Sequence, residues 1–285
     1  LLAERDVHFT YMIGEGGLIV DRFPAVPDHT VALVALAQKS YMTLQLHTSG
    51  QGGHSSMPPE DNALVRLARA VTALHENRFE PELRPPVSDM LMALGPHVGG
   101  LRGFLMQQQW LSGSILAWQM SLDEDTRSMV TTTTAVTIMQ AGVKDNVVPQ
   151  QASATVNFRL LPGDTPESVV AEVEKVIDDP RVRVEVVRAD PTPDVADPAG
   201  AGFAVVRNAL AKTLPDALVA PGLVVATTDT RHYQSLVDNI YHFHPMRLPM
   251  EDAEGIHGTD ERIAVENIGL AVSIYREMLT AAGKP

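Results

Sequence analysis

Residues 152–187, "ASATVNFRLLPGDTPESVVAEVEKVIDDPRVRVEVV", contain two apolar runs with a helical run between them. The runs 152–161 and 182–187 have the length and apolar content that are typical of strands. Residues 165–179 begin with a threonine cap, a proline and a glutamate, which are signals for the start of a helix. The stretch therefore predicts a strand, a helix and a second strand.

The same kind of pattern continues on the N-terminal side of this stretch. Two strands joined by a turn are predicted at 29–48, a helix at 59–77 and a further strand at 135–141. The order from residue 40 to residue 187 is then strand, helix, strand, strand, helix, strand. This order predicts an α+β layer with its helices on one face of an antiparallel sheet.

The segments outside this layer have a different character. A strand is predicted at 7–13, and the Pro-, Asp-, Ala- and Gly-rich residues 188–202 precede a return to helices and buried strands. That return indicates an α/β domain. We therefore predict that residues 41–190 form a domain inserted between 1–40 and 191–285, which belong together.

The composition excludes several classes of protein. The 285 residues carry a formal net charge of −13 without a cluster of Lys and Arg, which argues against nucleic acid as a partner. No run approaches the roughly 18 apolar residues that a membrane helix needs, so no membrane span is expected. Cysteine is absent, so any bound metal would need His, Asp or Glu as ligands. We expect a soluble protein that handles small molecules, in the cytoplasm rather than secreted.

Residues 78–130 hold both tryptophans and several methionines but show no clear period. Such a segment either packs in a core or lid, or lines an apolar substrate pocket. We favour packing, because most large apolar side chains are used in this way.

His54 lies in the loop-like stretch "GQGGHSSMPP" at residues 50–59. Glycines precede it, and serines and prolines follow it, so it is predicted at the tip of a turn after a strand. Loops carry a disproportionate share of functional residues, but an ordinary exposed histidine is an equally good interpretation from this stretch alone.

Glu15 and His257 also lie beside glycines. Glu15 follows an apolar strand in "MIGEGGLIV", and His257 in "GIHGTDERI" precedes the helix start predicted at residues 260–261. Carboxylates and imidazoles are zinc ligands, so the pair is a candidate half of a metal site. The alternatives are a turn glutamate and a capped helix start, and for each residue taken singly the alternative is favoured.

Three further polar residues stand near strands. Asn146 precedes a predicted strand, Arg159 lies inside the next apolar strand, and Arg231 follows a strand in "ATTDTRHY". A charged arginine in such a strand is either exposed on an edge strand or binds a carboxylate through its planar guanidinium. Residues at the carboxyl end of an α/β strand, such as Arg231, tend to face a ligand crevice.

Five motifs together resemble the M20 metallopeptidase family, nearest to its carboxypeptidase S and Gly-X carboxypeptidase branch, which includes N-acyl amino acid hydrolases. In chain order they are "GEGG", "GGHSSMPPEDNA", "TTTTAVTIMQAGVKDNVVPQQASATVNFRLLPGDTPE", "TTDTRHY" and "IHGTDERI". The resemblance implies an α/β zinc-peptidase catalytic domain, here partial, with an inserted α+β lid that also serves for dimerisation. It implies two zinc ions per complete site and a peptide or N-acyl amino acid as substrate.

The resemblance also implies a role for each candidate residue. Glu15 and His257 match metal ligands, and His54 matches the lid histidine that stabilises the oxyanion. In dimeric family members this histidine reaches the site of the partner subunit. Lid residues that hold the substrate carboxylate side correspond to Asn146 and Arg159. A substrate-binding arginine of the catalytic domain corresponds to Arg231.

The chain departs from the family pattern in two respects. Gly14 stands where the family usually has aspartate, and no His-x-Asp triplet or family-type Glu-Glu pair, which would supply a general base, occurs in the sequence. We therefore expect that about the N-terminal third of the enzyme is missing here. The predicted function is zinc-dependent cleavage of the amide bond next to a free amino-acid carboxylate. The alternative is a catalytically incomplete fragment or pseudoenzyme that serves as a binding and dimerisation module.

Overall fold

A computed structural model describes residues 2–249, 252, 255–256, 258–259 and 261–283. The chain divides into two units. Unit 1 contains residues 1–38, 82–130 and 193–285, and unit 2 contains residues 39–81 and 131–192. Among the described residues, no helix has both the length and the apolar character that crossing a membrane requires.

The described elements are numbered here in chain order. The strands are β1 Phe9–Gly14, β2 Ile19–Asp21, β3 Val31–Gln38, β4 Ser40–Ser49, β5 Gly53–His54, β6 Thr133–Ala141, β7 Val147–Val148, β8 Gln151–Leu160, β9 Val182–Ala189, β10 Leu218–Val224, β11 Val237–His242 and β12 Arg247–Pro249. The helices are α1 Ala63–Glu76, α2 Val87–Val98, α3 Gly100–Gln107, α4 Gln109–Ser121, α5 Glu124–Val130, α6 Pro166–Ile177, α7 Ala201–Thr213 and α8 Val265–Ala282.

Unit 1 contains a mixed sheet in which β3 is central. The strand order is β1, β11, β3, β2, β12, with β10 also paired to β3. β1 runs parallel to β11, and β10 runs parallel to β3. The sequence of β3, "VALVALAQ", is almost wholly apolar because a strand covered on both faces needs no alternation. Helices α7 and α8 pack on this sheet through Phe203, Val206, Leu210, Ile274 and Met278.

Helices α2 to α5 also belong to unit 1, which corrects one expected boundary. Residues 82–130 were expected inside a continuous domain at 41–190, but the structure separates them from unit 2. The physical reason is that α2 buries its apolar face, which includes Val87 and Leu94, against Val31 and Ala220 of unit 1. A hydrophobic cluster with those strands therefore keeps this insertion in unit 1.

Unit 2 has the predicted order of strand, helix, strand, strand, helix, strand. Its sheet runs β6, β8, β4, β9, and every neighbouring pair is antiparallel. Buried side chains of α1 and α6 pack against the sheet in one cluster, which includes Leu67, Val169, Leu44 and Phe158. Helix α6 begins at the predicted threonine, because the Thr165 side chain accepts from the backbone N–H of Ser168.

Three predicted element boundaries were wrong. No turn joins β3 to β4, since Lys39 alone separates them and they belong to different sheets. Helix α1 begins at residue 63 rather than 59, because the Asn62 side chain caps it. Helix α8 begins at Val265, whereas Glu261 to Ala264, where the helix was expected, are not helical.

Candidate functional site

His54 and Asn146 lie next to each other in unit 2. The two-residue strands β5 and β7 pair so that His54 stands opposite Val147. The Ser55 N–H donates to the Asn146 carbonyl oxygen at 3.1 Å. Both candidate side chains are exposed. A short antiparallel ladder therefore joins two motifs that are far apart in the sequence.

Glycines allow the loop before His54 to approach its neighbours closely. A Cβ on Gly50 would lie 2.8 Å from the backbone nitrogen of Ala63, and a Cβ on Gly52 would lie 2.5 Å from Cγ of Gln150. The Gly50 N–H donates to the Gln150 carbonyl oxygen at 2.9 Å. The glycines are thus needed to fit this loop against α1 and the start of β8.

The hydrogen bonds around His54 select one tautomer of its ring. The backbone N–H of Ser56 lies 3.2 Å from Nδ1, and the Ser56 hydroxyl lies 2.8 Å from the same atom. Because a backbone N–H can only donate, Nδ1 must carry the lone pair, and in a neutral ring the proton is then on Nε2. The exposed edge of His54 therefore presents an N–H donor.

Arg159 lies in an interior strand of unit 2, so the edge-strand interpretation was wrong. β8 is paired on both sides, with β6 and with β4. The Arg159 guanidinium lies 4.7 Å from the centre of the Tyr41 ring, and that of Arg188 lies 4.5 Å from the same ring. The ring is therefore shared by two cations, each held by a cation–π contact.

The structure places Arg159 far from His54 and Asn146 within one chain. The His54 loop joins the sheet beside Gln151 at the start of β8, whereas Arg159 lies near the end of that strand. Eight residues of extended strand span about 26 Å. These three side chains consequently cannot contact one small substrate within a single unit 2.

Glu15 lies at the end of β1 in unit 1, and its side chain is exposed. Its carbonyl oxygen lies 2.8 Å from Nδ1 of the buried His242 on β11. A Cβ on Gly14 would meet the side chain of Thr230. Position 14, where the family usually has aspartate, therefore faces the "TTDTRHY" motif.

Arg231 lies in a short 3₁₀ helix, Asp229–His232, beyond the carboxyl end of β10, as predicted. Its Nη1 donates to the Thr228 carbonyl oxygen at 3.2 Å, and the Thr228 N–H donates to the Gln38 side chain at 2.6 Å. Gln38 ends β3, which runs parallel to β10. The carboxyl ends of two parallel strands thus position this loop.

Glu15 also lines a cavity of about 520 Å³ in unit 1. His244 and the rings of Tyr11 and Tyr275 line the same cavity, whose other walls are mainly apolar. A cavity of this size can take a small organic molecule.

His242 is a buried residue at this site that the sequence analysis did not identify. Burial lowers the pKa of its imidazole, and the hydrogen bond to the Glu15 carbonyl partly opposes that shift. Because Nδ1 donates to a carbonyl, the lone pair of the neutral ring is on Nε2. Its only sequence signal was its place in the middle of the strand-like run "NIYHFHP".

Lys39 was missed as well, because a turn was expected at this position. Its side chain is completely buried in unit 2, and Nζ donates to the Thr131 carbonyl oxygen at 2.8 Å. Burial and, to a smaller extent, the charge of Arg159 lower the lysine pKa to about 7, although the charge of Asp164 opposes the shift. A lysine between two apolar strands was the available signal.

The described residues do not by themselves fit a metal site. His257 and Asp260 lie outside the described residues. Within the part of the chain that the structure describes, no three His, Asp or Glu side chains lie close enough together to hold a metal ion. Glu15 is thus a single predicted ligand without described companions.

An α/β unit interrupted by an antiparallel α+β unit is the architecture of the two-domain peptidases that the sequence resembles. A family model described as a peptidase dimerisation domain matches residues 36–185. The chain belongs to the M20 peptidase family.

Individual relatives agree with this assignment. The N-fatty-acyl-amino acid synthase/hydrolase PM20D1 of Xenopus tropicalis is 36% identical over 98% of this chain and 55% of its own length. The probable carboxypeptidase S-like 2 of Dictyostelium discoideum is 34% identical over 95% of this chain and 52% of its own length. The chain thus spans about half the length of the curated relatives it matches.

A solved structure supports the fold alone. The M20 family metallo-carboxypeptidase Sso-CP2 of Sulfolobus solfataricus superimposes with a TM-score of 0.55 at 15% identity, over 87% of this chain and 60% of that one. The predicted α/β fold with an inserted dimerisation domain is confirmed at this level.

Proposed function

We propose that this chain forms part of a metal-dependent hydrolase that cleaves the amide bond beside a free amino-acid carboxylate. The substrate class is a peptide or an N-acyl amino acid. The names of the relatives, a fatty-acyl-amino acid synthase/hydrolase and a carboxypeptidase S-like protein, support this substrate class. The observation that carries the proposal is the exposed Nε2–H of His54, fixed by Ser56 and placed beside Asn146.

His54 is proposed to stabilise the oxyanion of the tetrahedral intermediate. A neutral imidazole with its proton on Nε2 can donate to a developing negative charge without first changing its protonation. Asn146 is proposed to hold the carboxylate side of the substrate through its amide. Their short ladder holds both groups on backbone hydrogen bonds, which favours preorganisation.

Arg159 and Arg231 are proposed to bind the substrate carboxylate, since a guanidinium offers two parallel donors to it. The distance along β8 between Arg159 and the His54 loop supports their assignment to different sites in one chain. We propose a homodimer through unit 2, in which His54 and Asn146 act on the substrate of the partner subunit. The match to a peptidase dimerisation domain supports this arrangement.

Glu15 and His257 are proposed as zinc ligands, as the family resemblance implies. Zinc would polarise the substrate carbonyl and lower the pKa of a bound water. Among the described residues no group of three ligating side chains includes Glu15. A cytoplasmic rather than secreted location remains a prediction.

Kinetics of the complete protein encoded by the gene would test these roles on N-acyl amino acids and dipeptides. His54→Ala is expected to lower kcat by about 10²–10³-fold with little change in KM, because it removes a donor to the transition state. Arg159→Lys is expected to raise KM, because an ammonium lacks the planar fork.

Two matched controls accompany these variants. His75→Ala changes an exposed histidine on α1, and Arg188→Lys changes the other guanidinium on the Tyr41 ring. If His54→Ala has the same kinetics as the unsubstituted protein, the proposed role of His54 is excluded. Equal effects of Arg159→Lys and Arg188→Lys would indicate loss of the shared stacking rather than of a carboxylate contact.

A binding and dimerisation module without catalysis is the second candidate. Gly14 in place of aspartate, and the lack of any described group of three ligating side chains, favour it. This candidate predicts a folded dimer that binds substrate without hydrolysing it, even in the complete protein. Turnover that is lost in His54→Ala would contradict it.

A further inference from the structure

Tyr41 and Arg159 lie side by side on the face of the unit 2 sheet opposite to α1 and α6. They stand directly opposite each other on β4 and β8, and such partners of an antiparallel pair share one face. Successive side chains of a strand alternate between faces, and the adjacent residues Met42, Phe158 and Leu160 are buried in the cluster that contains the two helices. The ring and the guanidinium are therefore on the other face.

The ring of Tyr41 is contacted by guanidinium groups from both strands that flank β4. Arg159 on β8 lies 4.7 Å from the ring centre, and Arg188 on β9 lies 4.5 Å from it. Nε and Nη2 of Arg188 donate to the two carboxylate oxygens of Asp190 at 2.9 Å and 2.8 Å. The backbone N–H of Asp190 donates to the Tyr41 carbonyl oxygen at 2.9 Å. Arg188 is thus held in place beside the ring, and the ring in turn contacts Arg159.

A ring contact of this kind can prepare an arginine for binding a carboxylate. The attraction is between the cation and the face of the ring, and it leaves the guanidinium N–H groups able to donate to oxygen. A carboxylate accepts best from two parallel N–H groups of one guanidinium, so the orientation of that group matters. A long side chain also loses rotamer freedom when it binds, and one that is already restricted loses less. The Tyr41 ring therefore favours carboxylate binding by Arg159 through preorganisation.

We propose that Tyr41 is a positioning residue, which holds the Arg159 guanidinium in the orientation that the substrate carboxylate needs. The inference rests on the proposed function, in which Arg159 binds that carboxylate. Tyr41 acts through Arg159 and needs no contact with the substrate itself. The ring rather than the phenolic hydroxyl carries the effect, because the cation–π attraction comes from the ring face.

Steady-state kinetics of the complete protein with an N-acyl amino acid test the role of the ring. Tyr41→Leu should raise KM about fivefold with little change in kcat, since a cation–π contact of about 1 kcal/mol corresponds to that factor. Tyr41→Thr, a second variant without a ring and with a high strand propensity, should do the same. Tyr41→Phe keeps the ring, so its KM should stay within about twofold of the unsubstituted value.

A pair of competitive inhibitors tests whether the effect passes through Arg159. In an N-alkyl amino acid a CH₂ group replaces the scissile carbonyl, and the carboxamide of that compound also lacks the carboxylate. Tyr41→Leu should weaken inhibition by the acid about fivefold and leave inhibition by the carboxamide unchanged, because only the carboxylate forms a charged pair with a guanidinium. Phe79→Leu is the matched control, since it removes a ring that contacts Phe158 on the helix side of the same sheet. It should change neither inhibition constant.

The outcomes separate this proposal from the proposed function. Unchanged KM in Tyr41→Leu and Tyr41→Thr, together with a raised KM in Arg159→Lys, would overturn this proposal alone. Equal weakening of both inhibitors, an equal rise of KM in Tyr41→Phe, or a selective loss of the acid in Phe79→Leu would also overturn it, because the effect would not come from this ring acting through Arg159. An unchanged KM in Arg159→Lys would refute the carboxylate role of Arg159, and this proposal would fail with it.

Discussion

Lys39 shows how one buried residue makes stability depend on pH. Burial disfavours the protonated amine and the charge of Arg159 adds to this effect, so the pKa of Lys39 falls from 10.5 to about 7 although the charge of Asp164 opposes the shift. The Thr131 carbonyl oxygen accepts a hydrogen bond from its Nζ. Between these two values the unfolded chain binds a proton that the folded chain has lost. Stability is therefore lowest below pH 7 and rises as the pH approaches 10.5.

The lowered pKa of Lys39 predicts that the free energy of unfolding rises with pH, and that substitution of Lys39 removes this rise. Denaturant unfolding between about pH 7.5 and 9.5 should show stability rising by roughly 1.4 kcal/mol per pH unit from this residue, and Lys39→Met should lack that contribution. Lys212→Met, which removes an exposed lysine paired with Glu277, should retain the slope. Identical slopes for Lys39→Met and the unsubstituted chain would mean that Lys39 keeps an ordinary pKa in the folded state.

At the scale of single site residues, the sequence indicates which side chains have suitable chemistry but not how far apart they lie. His54, Asn146 and Arg159 were selected from their residue types and their neighbours. Their spatial relation depends on the β5–β7 ladder and on the length of β8, which no local pattern encodes. His242 could not be identified from the sequence, because its features are burial and a hydrogen bond to the backbone of Glu15, which lies 227 positions away.

At the scale of elements, strongly periodic segments were predicted well. The strands and helices of unit 2 follow alternation, helical spacing and capping signals that act locally. Helices α3 and α4 were not predicted, because α4 is apolar on both sides: Leu116 and Met120 pack against the core of unit 1, while Leu111 and Trp118 are exposed. The assignment of residues 82–130 to unit 1 depends on tertiary packing, which overrides position along the chain.

The loop before β5 gives a prediction at this scale. Gly50→Ala should lower the free energy of unfolding by about 1–3 kcal/mol, because the new Cβ would press on the backbone of Asp61 and Ala63. Gly53→Ala at the start of β5 should change stability by less than about 0.5 kcal/mol, since no heavy atom beyond its chain neighbours lies within 4 Å of the added Cβ. Chemical denaturation measures both, and equal losses would contradict the close packing at Gly50.

At the scale of the whole molecule, the central claim is that one catalytic site takes residues from two chains. Arg159 and the His54–Asn146 pair lie at opposite ends of β8, and a peptidase dimerisation domain covers both. In a two-fold dimer each chain can give its His54 to the other, so two sites are completed at once.

Subunit complementation tests this claim most directly. The complete protein is prepared as two inactive variants, His54→Ala and Arg159→Ala, which are mixed, dissociated and allowed to reassociate before the hydrolysis of an N-acyl amino acid is measured. If His54 acts across the dimer, random pairing restores about one quarter of the unsubstituted activity, since half of the dimers are mixed and each mixed dimer has one intact site. If both residues serve the same site from one chain, no mixed dimer contains an intact site. Activity that stays at the level of the separate variants in verified mixed dimers would contradict the account.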